Sequence, residues 1–353
     1  MKTTIKAGIL GASGYTGGDL VRLLARHPHV EIALLTADRQ AGKPITEVFP
    51  HLIGLDLPDL VTVDEVDWAA ADLDVVFCGL PHGTTQNIVR TILTANDRIR
   101  VVDLSADFRL DDPEVYATWY GHEHFAPEIQ PMAVYGLPEF YRDRIVSTRL
   151  VANPGCYPTA ALLGLVPLAA AGQVDVTDVI IDAKSGVSGA GRGLKENLLF
   201  CEVGEGIHPY AVGTHRHAPE IEQEIAKAAG GAETHVNFTP HLMPMNRGEL
   251  CTCYVRMTGG ATVADLRRTL ETRYGAEPFV NLVPEGSAPA TRNVRGSNYC
   301  QIGLFPDRIP GRAIVVAVID NLVKGSSGEA IQNMNLMFGF PETTGIDQVA
   351  LFP

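Results

Sequence analysis

A glycine-rich turn near the amino terminus constrains the fold of this chain more than any other feature. An apolar run at residues 4–10 precedes the turn, and a helical pattern with a second apolar run at 30–35 follows it. In such a turn Gly11 allows the tight bend, Gly14 lets the backbone approach a pyrophosphate, and Gly17 permits close packing of helix on strand. The pattern predicts a Rossmann-type, doubly wound α/β domain that binds a dinucleotide. Further cofactor-binding residues expected in the turn are Ser13, Tyr15 and Thr16.

The end of the second strand bears on which dinucleotide is bound. An NAD site usually has an acidic residue there to hold the ribose hydroxyls, whereas this chain has Thr36. Arg39 and Lys43 follow, and both cations suit the 2′-phosphate of NADP. Asp38 is the opposing signal. We predict that NADPH is the hydride donor and that Thr36 and Arg39 belong to its site.

Two more parallel-type strands are predicted at 73–78 and 99–104. Loops that follow such strands face the ligand crevice of a doubly wound sheet. The first loop contains Leu80 and Pro81, which we assign to the cofactor site. Arg109 follows the second strand and suits a substrate phosphate or carboxylate.

Residues 111–141 contain four prolines and many aromatic side chains, and we expect them to form loops. His122 and His124 flank Glu123 in this segment. No third ligand is recognisable nearby, so no metal site is predicted.

Cys156 lies where a strand predicted at 144–152 is followed by an apolar helix predicted at 160–171. The partial positive charge at a helix N-terminus favours the thiolate, and free backbone N–H groups there can hold an oxyanion. A buried structural cysteine is the alternative. Position alone does not decide between a nucleophile and a core residue.

The second half of the chain offers partners for this thiol. A strand at 179–184 opens into a loop of glycines and small hydroxyls at 185–193, whose N–H groups suit an acidic substrate. Farther along, His217 and Glu220 are three residues apart, a spacing at which a carboxylate can orient an imidazole. A histidine so oriented serves a cysteine nucleophile and a leaving group. His215 is the alternative acid/base.

The remaining sequence predicts a mixed α+β region. Strands are expected at 234–241, 249–258, 298–305 and 312–320, with a helix at 262–274. Broad sheets of this kind often form subunit interfaces, so we expect a homo-oligomer, either a dimer or a tetramer. A last helix after Lys324 and Gly325 is expected to pack on the first domain. The predicted dinucleotide-binding domain is therefore 1–155 completed by 325–353, and the α+β catalytic and oligomerisation domain is 156–324.

Composition narrows the class of protein. A length of 353 residues fits about two domains, and a net charge of -13 disfavours nucleic acid or anionic membranes as partners. The six cysteines lack disulfide or zinc spacing, and Cys251 and Cys253 should share the core face of a strand. With no signal peptide and no apolar run of ~18 residues, we expect a cytoplasmic protein.

Six motifs in this order resemble the N-acetyl-gamma-glutamyl-phosphate reductase family of the semialdehyde-dehydrogenase group, and the likeness covers nearly the whole chain. The motifs are Gly11–Gly17, Leu80–Gly83, Ser105–Arg109, Asn153–Thr159, His215–Glu220 and Lys324–Gly325.

The resemblance implies reduction of N-acetyl-L-glutamyl 5-phosphate, a small acyl phosphate, by NADPH in arginine biosynthesis. It implies Cys156 as nucleophile and His217 as acid/base, assisted by Glu220. The segment Thr36–Arg39 departs from the serine-rich version expected in the family. Further cofactor residues would be Ser185, Gly186, Lys324 and Gly325, and substrate residues would be Arg109, Asn153, Lys184, Ser188 and His215.

Two other functions stay open at the level of sequence. A related reductase of aminoadipate-type lysine biosynthesis would act on a longer or carrier-bound acyl phosphate. A regulatory module would bind NADP without catalysis and would show no cysteine-dependent chemistry.

Overall fold

A computed structural model describes residues 4–352. Contacts divide the chain into two compact units. The first comprises the chain up to Pro154 together with Ser326–Asp347, and the second comprises Gly155–Gly325 and the chain from Gln348 onward. Each unit is built around its own sheet.

The first unit contains, among the described residues, a seven-stranded parallel sheet in the order β3-β2-β1-β4-β5-β7-β6. The order reverses at β1, as in doubly wound folds. The strands are β1 (Ile5–Leu10), β2 (Val30–Thr36), β3 (Leu60–Val61), β4 (Val75–Cys78), β5 (Arg100–Asp103), β6 (Ala133–Tyr135) and β7 (Leu150–Ala152). Helices of this unit are α1 (Tyr15–Leu24), α2 (Ile45–Val48), α3 (Thr85–Ala95), α4 (Pro113–Tyr120) and α5 (Pro138–Ser147).

The central strands read as continuous apolar runs because both of their faces are buried. All four residues of β4 and all three of β7 are buried. Parallel strands covered by helices on both faces have this composition, in contrast to the alternation of half-exposed strands. The predicted Rossmann-type architecture is confirmed.

Two sequence predictions in this unit are wrong. The segment 111–141 is not all loop, since it contains α4, β6 and the start of α5. The strand predicted at 144–152 is correct only for its last three residues, because Arg144–Ser147 ends α5. Pro138 at the first position starts that helix, and proline there costs no hydrogen bond. A short run that mixes charged and apolar residues does not distinguish helix from strand by its period.

The second unit contains a mixed sheet in the order β12-β13-β14-β11-β8-β10-β9 among the described residues. The strands are β8 (Val179–Gly186), β9 (His208–Pro209), β10 (Val236–Met243), β11 (Glu249–Arg256), β12 (Val280–Leu282), β13 (Cys300–Pro306) and β14 (Arg312–Ile319). The helices are α6 (Cys156–Ala170), α7 (Phe200–Val203), α8 (His217–Ala228) and α9 (Val263–Tyr274). This confirms the predicted α+β region.

Burial alternates along the central strands of this sheet. In β8 and β11 every second residue is buried, and α6 packs on the covered face together with α8 and α9. Cys251 and Cys253 both point into that face and are fully buried, as predicted. The opposite face is only half-buried.

Helix α6 begins at Cys156, four residues before the predicted start. Gly155 is extended and forms the N-cap, and Pro158 falls within the first turn, where it breaks no helical hydrogen bond. The thiol therefore lies at the first helical position.

The last helix, α10 (Gly328–Phe338), belongs to the first unit and packs against α5 and α1. Nearly every residue of α10 is buried, which explains its apolar and amide-rich composition. The residues from Gln348 onward belong instead to the second unit, where Leu351 N–H donates to the Arg295 carbonyl at 2.8 Å.

Candidate active site

The glycine turn between β1 and α1 is closed so tightly that side chains are excluded. Gly11 has a φ of +75°, and a Cβ there would lie 2.4 Å from the Gly79 carbonyl oxygen. A Cβ at Gly17 would lie 2.4 Å from the Gly11 oxygen. Gly14 forms the N-cap of α1 without any side-chain cap, which leaves backbone N–H groups for a ligand. This arrangement fits a dinucleotide pyrophosphate.

Thr36 supports this turn from the end of β2. Its hydroxyl accepts from Gly11 N–H at 3.4 Å, and its carbonyl accepts from Ala12 N–H at 2.9 Å. Arg39 lies beyond it on the surface, and Lys43 Nζ donates to Gln40 Oε1 at 3.1 Å. Thr36 therefore holds the turn, while Arg39 and Lys43 lie on the surface beyond the end of β2.

Asp107 organises the loop that contains Leu80 and Pro81, and sequence reasoning missed it. Its buried carboxylate accepts from Gly83 N–H at 2.7 Å, from the Thr85 hydroxyl at 2.6 Å and from the Tyr116 hydroxyl at 2.9 Å. The only available signal was an acidic residue two positions before Arg109. The loop at the carboxyl end of β4 is thus fixed by a charge-assisted network.

Arg109 is almost fully buried and binds backbone. Its Nε donates to the Asn153 carbonyl at 2.7 Å, and its Nη2 donates to the Leu104 carbonyl at 3.0 Å. The predicted substrate arginine therefore also holds the chain three residues before Cys156.

Asn153 and Thr16 meet the segment that leads into α10. Asn153 Nδ2 donates to the Ser326 carbonyl at 3.3 Å, and the Ser327 hydroxyl donates to the Thr16 carbonyl at 3.0 Å. Asn333 Nδ2 in turn donates to Asn153 Oδ1 at 3.2 Å. Two of the predicted site residues are thereby tied to the segment Ser326–Asp347, which completes the first unit.

Cys156 is partly exposed at the start of α6, where Gly155 provides no side-chain cap. Glu220 Oε1 accepts from Gly155 N–H at 2.9 Å and so fixes the backbone next to the thiol. Gly325 packs directly on the cysteine, since a Cβ at position 325 would lie 2.8 Å from Cys156 Cβ. A side chain at position 325, a predicted cofactor residue, would therefore collide with Cys156.

The two candidate histidines lie together at the start of α8. Their ring centroids are 4.6 Å apart, and each centroid lies 5.9 Å from that of the Tyr157 ring in an edge-to-face arrangement. His215 Nδ1 accepts from the His217 backbone N–H at 3.1 Å. Burial, and then the Arg216 charge, lower the pKa of His215 to about 4. His215 is therefore neutral near pH 7.

Strand β8 extends two residues beyond the predicted 179–184, and contacts hold both its end and the glycine- and serine-containing segment that follows. Lys184 Nζ pairs with the Asp182 carboxylate, and the Ser188 hydroxyl accepts from Asn321 Nδ2 at 3.0 Å. Gly186 approaches another backbone closely, since a Cβ there would lie 2.8 Å from the Asn246 carbonyl oxygen. Ser185 is buried and its hydroxyl donates to the Gly186 carbonyl at 3.2 Å.

Lys324 is fully buried, with Nζ 5.9 Å from the centroid of the Phe279 ring. A buried lysine next to an aromatic face gains a cation–π contact.

Glu249 is a second residue that sequence reasoning missed. It is fully buried at the start of β11, and burial raises the pKa of its carboxyl to about 8. The alternating pattern of β11 predicted a core position there, and a glutamate at a core position was the available signal.

No group of three metal-ligating side chains occurs among residues 4–352. His124 is used structurally, since its Nε2 lies 2.7 Å from the Asp107 carbonyl oxygen and its Nδ1 accepts from Ala126 N–H at 3.1 Å. Within the same residues, the helices are too short or too polar to cross a bilayer.

Comparison with known proteins first defines the class. Residues 6–148 match the model described as "Semialdehyde dehydrogenase, NAD binding domain", and residues 156–321 match "Semialdehyde dehydrogenase, dimerisation domain". The aspartate semialdehyde dehydrogenase II of Vibrio cholerae has the same fold, with a TM-score of 0.74 at 18% identity over 95% of this chain and 98% of that one. The NADP complex of the Candida albicans enzyme gives a TM-score of 0.70 at 18% identity, over 95% and 98% of the two chains.

Full-length relatives then define the family. The N-acetyl-gamma-glutamyl-phosphate reductase of Rhodospirillum rubrum is 60% identical over 100% of both chains. A probable chloroplastic N-acetyl-gamma-glutamyl-phosphate reductase of Arabidopsis thaliana is 56% identical over 99% of this chain and 86% of the plant protein. This chain belongs to the N-acetyl-gamma-glutamyl-phosphate reductase family.

Proposed function

We propose that this protein reduces N-acetyl-L-glutamyl 5-phosphate to N-acetyl-L-glutamate 5-semialdehyde and phosphate, with NADPH, in arginine biosynthesis. The observation that carries the chemistry is Cys156 at the uncapped start of α6, with its neighbouring backbone held by Glu220. The substrate is inferred from the names of the full-length relatives, which are N-acetyl-gamma-glutamyl-phosphate reductases.

In the first step the Cys156 thiolate attacks the acyl carbon of the substrate. A carbon–sulfur bond forms, the bond to the phosphate oxygen breaks, and phosphate leaves with its electron pair, which gives a thioester on Cys156. The backbone N–H groups at the start of α6 are suited to the oxyanion that develops on the acyl oxygen. The acyl phosphate is already activated, so the step requires no metal.

The cofactor fits the first unit on the geometry of its glycine turn. Gly11, Gly14 and Gly17 would hold the pyrophosphate, and Arg39 with Lys43 would hold the 2′-phosphate that distinguishes NADP from NAD. NADPH supplies a hydride that reduces the thioester carbon.

His217 is the acid/base in this proposal. It would give a proton as the reduced adduct collapses to aldehyde and releases the Cys156 sulfur. His215 suits this role less, because its pKa of about 4 leaves it without a proton near pH 7. His215 instead accepts the His217 backbone N–H and so helps to fix the start of α8.

The half-buried face of the second sheet is the surface that we propose for self-association. Tyr254 of β11 lies on this face and is flanked in register by Ile180 of β8 and Ile314 of β14. The match of this unit to a dimerisation domain supports a second copy as the partner of the face.

Phosphate-dependent reduction of NADP by N-acetylglutamate semialdehyde tests the proposed activity directly. We expect rapid NADPH formation with this substrate, and little with the aminoadipate analogue or with NAD in place of NADP. A preference for the aminoadipate analogue would assign the protein to lysine biosynthesis instead. Absence of phosphate-dependent oxidation with both would leave only a nucleotide-binding role.

A further inference from the structure

Glu249 is a buried acidic group that the proposed reaction does not use. It pairs with Ser185 of β8 and with Ile319 of β14, so its position is fixed on both sides by the sheet. Its side chain is fully buried, and among the described residues neither carboxyl oxygen meets a donor in standard hydrogen-bond geometry. An isolated buried carboxylate is strongly disfavoured, so this group must bind a proton or share one with a neighbour.

Cys156 is the neighbour that can share the proton. Cys251, two residues along β11 on the same buried face as Glu249, has its Sγ 3.9 Å from the Tyr157 carbonyl oxygen, so the start of α6 lies over this end of β11. Ile319, the cross-strand partner of Glu249, also lies against Gly325, since a Cβ there would be 3.1 Å from Ile319 Cδ1. The cysteine side chain is also confined by Gly325, where a Cβ would lie 2.8 Å from Cys156 Cβ. Thiol and carboxyl are thus held next to each other by α6, by β11 and by the segment that follows β14.

Several other titratable groups lie around the pair. Asp320 accepts from Leu322 N–H at 2.9 Å and from Gly296 N–H at 2.7 Å, and it pairs with Arg247 at 3.4 Å. Tyr157, Tyr210 and Cys251 are also close, and burial raises the pKa of all three; the two tyrosine hydroxyls lie 3.3 Å apart. Lys324, which precedes Gly325, is fully buried, and the rings of His215 and His217 lie against Tyr157.

We propose that Cys156 and Glu249 form a thiol–carboxyl pair that shares one proton. In the transfer the S–H bond breaks, its electron pair stays on sulfur, and an O–H bond forms on Glu249. The products are a thiolate and a neutral acid, and the net charge of the buried pair does not change. Glu249 is then a positioning residue that lets the nucleophile ionise, and it leaves His217 to serve the substrate. This inference rests on the proposed role of Cys156.

The rate at which iodoacetamide alkylates Cys156, measured by peptide mass spectrometry between about pH 5 and pH 10, tests the pair without requiring turnover. In the wild-type protein we expect two ionisations, because two coupled groups lose their protons in separate macroscopic steps. Glu249→Gln keeps the shape of the side chain but cannot titrate, so it should show a single ionisation. Glu249→Met should show the same, and Glu249→Asp should restore two.

Cys201 is exposed and serves as an internal reference thiol whose profile should be the same in all variants. Superimposable Cys156 profiles in wild type and Glu249→Gln would overturn the pair. Turnover by the reductase assay separates the two hypotheses. Two ionisations in a protein without reductase activity would retain the pair and reject the function, whereas activity with superimposable profiles would do the reverse.

Discussion

At the scale of single residues, Cys156 and Glu249 show how the fold sets the chemistry of a side chain. The thiol is partly exposed at the start of α6, whereas the carboxyl is fully buried at the start of β11. A helix N-terminus contributes only about 1 kcal/mol to thiolate formation. The acid and base groups around Cys156 therefore have to supply the rest of its activation.

Replacement of the proposed nucleophile gives the most direct prediction. Cys156→Ser should reduce reductase turnover to background, because a serine hydroxyl at this position lacks the low pKa that makes a thiol reactive. NADPH binding, followed by fluorescence titration, should be unchanged, since the glycine turn is untouched. Cys201→Ser is the matched control and should keep full activity, because Cys201 is exposed on α7. Turnover near the wild-type level in Cys156→Ser would exclude a covalent mechanism.

The raised pKa of Glu249 predicts a pH dependence of stability. The folded state holds this proton up to about pH 8, whereas an unfolded glutamate releases it near pH 4.5. The stabilisation that this proton contributes is therefore fully present below about pH 4.5 and is lost as pH rises through 8. The loss in the free energy of unfolding is on the order of a few kcal/mol.

Thermal unfolding of wild type and Glu249→Gln between about pH 4 and pH 9 measures this effect. The Tm of the variant should gain on that of wild type as pH rises and should level off above about pH 8, where the carboxyl is ionised. A Tm difference that does not vary with pH would show that Glu249 keeps an ordinary pKa.

At the scale of elements, the glycine turn and helix α6 differ in how far their sequences define them. Gly11 and Gly17 are sterically required, so the turn could be predicted with the roles of its glycines. The start of α6 was placed four residues too late, because Pro158 conceals a first helical turn in the sequence. The hydrogen bonds of Asp107 to Gly83 N–H and of Glu220 to Gly155 N–H are not predictable in this way, since contacts between distant segments leave no periodic signal in the sequence.

Gly17 offers a test of the turn as an element. Gly17→Ala places a Cβ against the Gly11 carbonyl oxygen, where the contact would be 2.4 Å, and backbone cannot yield as a flexible side chain would. We expect NADPH affinity to fall at least tenfold, which corresponds to about 1.4 kcal/mol. Isothermal titration measures the loss, and Cys156 alkylation should be retained. Gly193→Ala, which meets nothing within 4 Å, is the matched control. Equal affinity in both variants would argue against a pyrophosphate at this turn.

At the scale of the whole molecule, the second unit leaves one face of its sheet only half-buried. The same unit matches a dimerisation domain. A sheet face that the rest of the unit leaves partly uncovered is typical of a protein interaction surface. Its alternation of buried and half-buried residues makes the sheet suitable for covering a core on one side and a partner on the other.

Tyr254→Glu tests self-association through this face. A charge placed in the centre of an apolar contact without a partner is costly, so the variant should dissociate to monomers. Light scattering after size-exclusion chromatography measures the mass of wild type and variant and distinguishes a dimer from a tetramer. Arg267→Glu on α9, away from this sheet face, is the control and should keep the wild-type mass. An unchanged mass for Tyr254→Glu would place the interface elsewhere.

The sequence by itself determined what depends on neighbouring residues along the chain. Period, turn glycines and helix starts are local, so the dinucleotide fold, the α+β second unit and the candidates Cys156 and His217 were accessible from it. Tertiary structure alone decided which distant groups meet. It brought Glu249 beneath the start of α6, Asp107 to the loop after β4, and Gly325 against Cys156. The physical reason is that burial and hydrogen bonding act through space, and neither a raised pKa nor a close backbone approach is written in local spacing.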